Sequence, residues 1–277
     1  TGRIIAVSDY RHSLDDIGRD VHKTGSMRID LVARTSDDNG ATWSEARTIA
    51  QGDDSKVGSY LRAFGEATMA AYGNNILIMA ASGDVIYPGG TASNPNRMAR
   101  IYSTDNGATW SETKTIAAGD NSKAGSYLRA FGDAAIAAVG QNIVVMAAAG
   151  DVVYTAGTTS SPNKMARIYS SDNGATWAIE EMTTKMYSQS TSLIPSGGSA
   201  FFGSGKLAVD PNFNGTGNAR IYGALLVRIG TDGYNNFGVF SDDLGATWKI
   251  LGGDNTNPVA KGDEPKVEIL PNGQILL

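Results

Sequence analysis

The octapeptide SDDNGATW at residues 36–43 returns as STDNGATW at 103–110, SSDNGATW at 170–177 and SDDLGATW at 241–248. The copies start 67, 67 and 71 residues apart. A period of this size marks a chain built from repeated supersecondary units, none of which buries its apolar face alone. Residues 44–110 lie over 111–177 without a gap, and 47 of the 67 positions are identical, so this pair is a duplication. Between the copies run short β-branched or aromatic stretches, among them GRIIAV, IDLVART, NNILIMAAS, QNIVVMAAAG, ARIYGALLVRI and NFGVFS, bounded by Gly, Asn, Asp and Ser. Each unit carries strand signal for one four-stranded sheet and is longer than a solenoid coil. The expected fold is therefore all-β, a propeller of which this chain covers about four blades.

The octapeptide reads as a turn. Its Asp (Asp38, Asp105, Asp172, Asp243) is placed to accept hydrogen bonds from nearby main-chain N–H groups. The Gly two positions later is free to take positive φ, as a hairpin loop often demands. The four Trp residues of the chain (Trp43, Trp110, Trp177, Trp248) all fall in these copies and are expected in the cores of the blades, with sugar stacking the lesser alternative. DDNG also opens a calcium loop, but the Glu that such a loop needs is not repeated.

The charged fraction is 18% and the net charge is -5, which gives no basic footprint for nucleic acid. The chain has no Cys, which removes disulfides and thiolate metal sites. No apolar run approaches the length of a membrane-spanning helix. His12 and His22 stand without a ligand cluster, so neither a metal nor another cofactor is expected. Asn214, Gly215 and Thr216 fit the N-glycosylation pattern, a triplet frequent by chance.

The pattern S-x-D-x-G-x-T-W resembles the Asp box of the sialidase superfamily, and two further segments extend the likeness. GRIIAVSDYRH is similar to the segment after that family's first arginine motif, and GDEPKVEILPNGQILL, residues 262–277, to the segment with its catalytic glutamate. GNARIYGALLVRI, the fourth box and LGGDN also resemble bacterial members. The likeness is to bacterial exo-sialidases (neuraminidases) of glycoside hydrolase family 33. It implies a six-bladed propeller that hydrolyses terminal α-linked sialic acid with retention, in a secreted, periplasmic or cell-surface protein. The nucleophile it implies is a Tyr activated by a Glu, outside the two-carboxylate scheme. The chemistry is intelligible: the anomeric carbon already bears a carboxylate, which repels an anionic nucleophile but not a phenol that ionises only on reaction.

Carried onto this sequence, the resemblance assigns Glu264 as the base of the Tyr and Arg11 as a pocket arginine near the outer carbons of the sugar. The acid/base Asp is assigned to Asp16, with Asp15 and Asp20 in reserve. The acidic residue that reaches the amide or hydroxyl edge of the sugar is Glu66 in FGEAT, Asp133 in FGDAA, or both; either also suits a strand-end carboxylate paired with Arg62 or Arg129. The family's three carboxylate-binding arginines and its Tyr find no match within residues 1–277, so the whole is expected to be one incomplete propeller domain with a duplicated blade at 44–110 and 111–177. Its expected partners are sialylated glycans and the remaining part of the same propeller. The duplication either adds a blade or replaces one whose box is degraded, and both stay open. The alternative function is a non-catalytic Asp-box propeller that binds glycans or mediates adhesion.

Overall fold

The computed structural model describes residues 2–13, 26–84, 95–151, 164–183, 185, 199–228, 234–253 and 256–277. Strands dominate them, arranged as successive antiparallel sheets that follow chain order. The first blade comprises β1 (Ile4–Arg11), β2 (Ile29–Ser36) and β3 (Arg47–Ala50), with β2 between the other two. The second is β4 (Ala63–Tyr72), β5 (Asn75–Gly83), β6 (Arg97–Ser103) and β7 (Lys114–Ala117) in simple meander order. A single parallel pairing, Ile29 with Ala63, joins these two blades at the starts of β2 and β4. The third blade repeats the meander with β8 (Phe131–Val139), β9 (Asn142–Ala149), β10 (Lys164–Ser170) and β11 (Ala178–Glu181). The fourth is built on β12 (Ser199–Phe202), β14 (Ala208–Asp210), β15 (Arg220–Arg228), β16 (Tyr234–Ser241) and β17 (Lys249–Ile250). Short β13 (Gly205–Lys206) crosses back to pair in parallel with β8, and β18 (Ala260–Lys261) pairs with β16. A hairpin, β19 (Glu268–Ile269) with β20 (Ile275–Leu276), follows.

The sheets pack face to face, which explains the sequence patterns of their strands. On β5, Ile76 and Ile78 pack toward the first blade with Leu31, Phe64 and Ile101, while Leu77 and Met79 pack toward the third with Phe131, Ile136 and Val145. A strand covered on both faces has no polar side to alternate, so NILIMAAS reads as an unbroken apolar run. Among the described residues β1 has a neighbouring blade on one face only, and its exposed and half-buried residues alternate along the strand. The third interface joins Val144, Met146 and Met165 to Phe202, Leu225, Val227 and Trp248.

The octapeptide forms the same turn four times. In the first copy the Gly40 N–H donates to Ser36 Oγ at 2.8 Å, and Ser36 Oγ donates to Asp38 Oδ1 at 2.7 Å. Asp38 further accepts from the Thr42 N–H at 2.8 Å and from Thr42 Oγ1 at 2.5 Å. Asn39 and Gly40 both sit at positive φ, 60° and 89°, and the other copies repeat this with Asn106, Asn173 and Leu244. The hydrogen bonds from Thr hold Asp38, Asp105 and Asp172 at a pKa of about 2. In Asp243 burial pushes the other way, and the bonds from Thr247 and Ser241 prevail to lower it.

One expectation is corrected here. Trp248 is 1% exposed and Trp110 and Trp177 pack against neighbouring clusters, but Trp43 is 41% exposed. Each later box packs on the blade before it: the Gly107 turn meets Ile5 of the first blade, the Gly174 turn meets Arg100 of the second, and the Gly245 turn meets Val144 and Arg167 of the third. Among the described residues no blade precedes the first box, and Trp43 is left partly open to solvent.

Candidate active site

The four boxes terminate β2, β6, β10 and β16 and so lie together at one end of the sheets. β1 runs antiparallel to β2 and ends at the opposite end; β4 and β8 begin there. That opposite end gathers the chemistry. Arg11 closes β1, Glu66 lies four positions along in β4, and Asp133 lies near the start of β8. Glu264 follows β18, which pairs with Asn235 and Asn236 at the start of β16, again away from the box.

Bulges aim the two strand carboxyls. The β4–β5 register shifts between Gly65 and Thr68, and the β8–β9 register shifts between Phe131 and Ala134, so Glu66 and Asp133 each sit where an extra residue is inserted. The two side chains are near enough for each to shift the titration of the other. Arg62, weighed as an alternative partner for Glu66, lies 2.8 Å from Asp84 and 3.8 Å from Asp54. Asp9, two residues before Arg11, adds a third carboxyl: its Oδ2 accepts from the Glu66 N–H at 3.3 Å and lies 3.9 Å from Arg11 Nη2. Arg11, Asp9, Glu66 and Asp133 thus form one line across three blades. The sequence signal for Asp9 is the strand period of two, which puts it on the same face as Arg11.

Burial raises the Asp9 carboxyl, against smaller opposing effects from the Glu66 N–H and from Arg11. Burial, then the charge of Asp133, pushes Glu66 up to about 9. Burial also raises Asp133, to about 6, with the neighbouring Glu66 acting against it and the charge of Glu264 acting with it. Glu264 and Asp133 therefore feel each other electrostatically, whereas Glu264 itself is exposed.

Backbone strain marks the same residues. Seven described non-glycine residues have positive φ: four stand in the box turns, one is Asn214, and the others are Glu66 at 55° and Glu264 at 51°. A side chain in that region costs free energy, and such strain concentrates at functional sites. Gly203 supports the second of them. A Cβ there would lie 2.0 Å from the Pro265 carbonyl oxygen, so only glycine lets the segment after Glu264 approach the fourth blade. Nothing in FFGSG foretells this contact. Asp16, Asp15 and Asp20 lie outside the described residues. Among those described, no group of three or more His, Asp or Glu side chains is arranged to hold a metal ion.

The fold and these residues define an Asp-box β-propeller with an acidic site at the end of the blades away from the boxes. The chain belongs to the BNR repeat-like domain family, which matches residues 16–201. It is 26% identical over 262 residues to a sialidase of Paraclostridium sordellii, covering 90% of this chain and 54% of that protein. Its fold is similar to that of a Hadza microbial sialidase, with a TM-score of 0.60 at 16% identity, covering 88% of this chain and 48% of the other. Trypanosoma rangeli sialidase in complex with sialic acid matches with a TM-score of 0.51 at 16% identity, covering 90% and 36%. The chain spans about half the length of the curated relative that it matches.

Proposed function

We propose that this chain is part of an exo-sialidase that releases terminal α-linked sialic acid from glycoconjugates, with retention, through a tyrosyl-enzyme intermediate. The observation that carries the reading is the meeting of Arg11, Glu66, Asp133 and Glu264 at one end of the blades, with the two glutamates in strained backbone. Glu264 is the base that takes the proton of the nucleophilic phenol, and its exposure leaves room for that partner. Arg11, restrained beside Asp9, binds the outer part of the sugar, and Glu66 with Asp133 accepts its hydroxyl or amide N–H. Asp16 is the general acid that protonates the leaving oxygen. The protein acts outside the cytoplasm, where sialylated glycans are found.

Proton NMR of a sialoside digested by the full-length protein tests this. The α-anomer of sialic acid is expected first, with the β-anomer growing in by mutarotation. First appearance of the β-anomer would overturn retention, and binding without turnover would leave a glycan-binding module in place of the enzyme.

A further inference from the structure

Residues 203–207 leave the fourth blade and cross to the third and the second. The Gly203 N–H donates to the Ala224 carbonyl at 3.0 Å, Gly205 and Lys206 pair in parallel with Ala135 and Ile136 of β8, and the Leu207 N–H donates to the Ile136 carbonyl at 2.8 Å. Thr68 Oγ1, on β4 and 2% exposed, donates to the Gly205 carbonyl. The crossing segment meets both strands where their bulges end: the β4 register resumes at Thr68, two residues after Glu66, and the β8 register at Ala134, one residue after Asp133. The same five residues also hold the stretch that follows Glu264. The Pro265 carbonyl fills the space that a Cβ on Gly203 would need, and the Lys266 stem lies 3.4 Å from where a Cβ on Gly205 would stand. Lys266 Nζ donates to Ser204 Oγ at 3.1 Å, and Lys206 Nζ lies 2.7 Å from Glu268.

Glu264 keeps a φ of 51° on an exposed segment. Such backbone persists only where its surroundings over-determine it. The Lys206–Glu268 pair is half exposed on both sides and adds little. The buried bond from Thr68, the close approach of Gly203 and Pro265 and the seat of Lys266 on Gly205 do more. We propose that residues 203–207 are a brace that sets Glu264 against Glu66 and Asp133, with Thr68 and Lys266 as positioning residues at its two ends. Its effect on turnover rests on the sialidase reading, but the brace itself does not. Asp133 accordingly feels the charges of both Glu264 and Lys266.

Amide hydrogen exchange and sialoside hydrolysis by the full-length protein test it. Thr68→Val keeps the shape of the side chain and removes its donor, whereas Lys266→Met keeps a stem over Gly205 and removes the ammonium. Each is expected to speed exchange of residues 262–268 about tenfold while the strands of the first blade are unchanged. Each should also lower kcat about tenfold, with KM in Lys266→Met held within about twofold. Thr68→Ser and Lys266→Arg retain a donor and are expected to keep both exchange and kcat. Exchange of 262–268 unchanged in either folded variant would overturn the proposal, as would faster exchange beside an unaltered kcat. So would faster exchange spread evenly over all strands, the mark of general destabilisation, or a rise in KM alone in Lys266→Met, the mark of a residue that touches the sugar. If the unaltered protein turns over no sialoside, the sialidase reading falls and exchange decides the brace by itself. Should Thr68→Val fail to fold, Lys266→Met, altered at an exposed side chain, decides.

Discussion

Arg100 Nη1 donates to the main-chain carbonyl of Gly174 at 2.7 Å, so a strand of the second blade holds the box turn of the third. Arg167, the same position one repeat later, reaches the Leu244 carbonyl of the fourth box at 3.0 Å. It is 5% exposed, pairs with Glu180 at 3.0 Å and lies 4.1 Å over the Tyr169 ring. Removing a buried donor to a main-chain carbonyl and an ion-pair partner together costs about 2–3 kcal/mol. Urea titration of Arg167→Ala should show that loss. Arg167→Lys should recover less than half, because an ammonium cannot span both partners as a guanidinium does.

The same residue in two boxes should differ sharply in its worth. Trp248 is buried, with its ring 4.7 Å from Phe202, whereas Trp43 is 41% exposed. Trp248→Ala is expected to cost about 3–5 kcal/mol by leaving a cavity between the third and fourth blades. Trp43→Ala should cost clearly less, since about two fifths of its area already meets water. Equal costs for both would contradict the packing described.

The contrast shows where the sequence was legible. The box turns were readable because Ser, Asp, Gly and Thr bond within a few residues of one another, and the structure has those bonds in all four copies. The exposure of Trp43 was not, because it depends on a neighbouring blade rather than on the octapeptide. Glu66 and Asp133 stood out by position within the duplication, yet their mutual influence arises only when blades pack side by side. Asp9 was missed although it shares the face of Arg11, and Gly203 was missed because its contact with Pro265 joins residues distant in sequence.

Acid should loosen the boxes. The folded pKa values of Asp38, Asp105 and Asp172, about 2, lie below the ordinary carboxylate value of 3.8. A depressed carboxylate adds stability that is fully present above the unfolded pKa and lost as the pH falls through the folded one. Glu66 acts with the opposite sign: raised to about 9, it removes stability as the pH climbs above its ordinary 4.5. Melting temperature should therefore fall on acidification from about pH 4 to about pH 2. Asp172→Asn should flatten part of that acid limb, and Glu66→Gln should leave it unchanged while raising stability at alkaline pH.

Strain at Glu264 should separate stability from activity. Its φ of 51° is costly for a side chain and ordinary for glycine. Glu264→Gly should leave stability unchanged or raise it by up to about 1 kcal/mol, while turnover is lost. Gly203→Ala works in the other direction by pressing on the Pro265 carbonyl and displacing Glu264. A shift of about 1 Å there should lower kcat about a hundredfold, with little change in melting temperature after the loop yields.

Glu264, proposed as the base of a sialidase, is the residue whose loss should matter most to turnover. Hydrolysis of a fluorogenic α-sialoside by the full-length protein and by its Glu264→Gln variant, with folding followed by circular dichroism, tests it most directly. Turnover by the unaltered protein is expected, with a loss of about two to four orders of magnitude in kcat in a variant that remains folded. Turnover unchanged in Glu264→Gln, or none by the unaltered protein on any sialoside linkage, would contradict it.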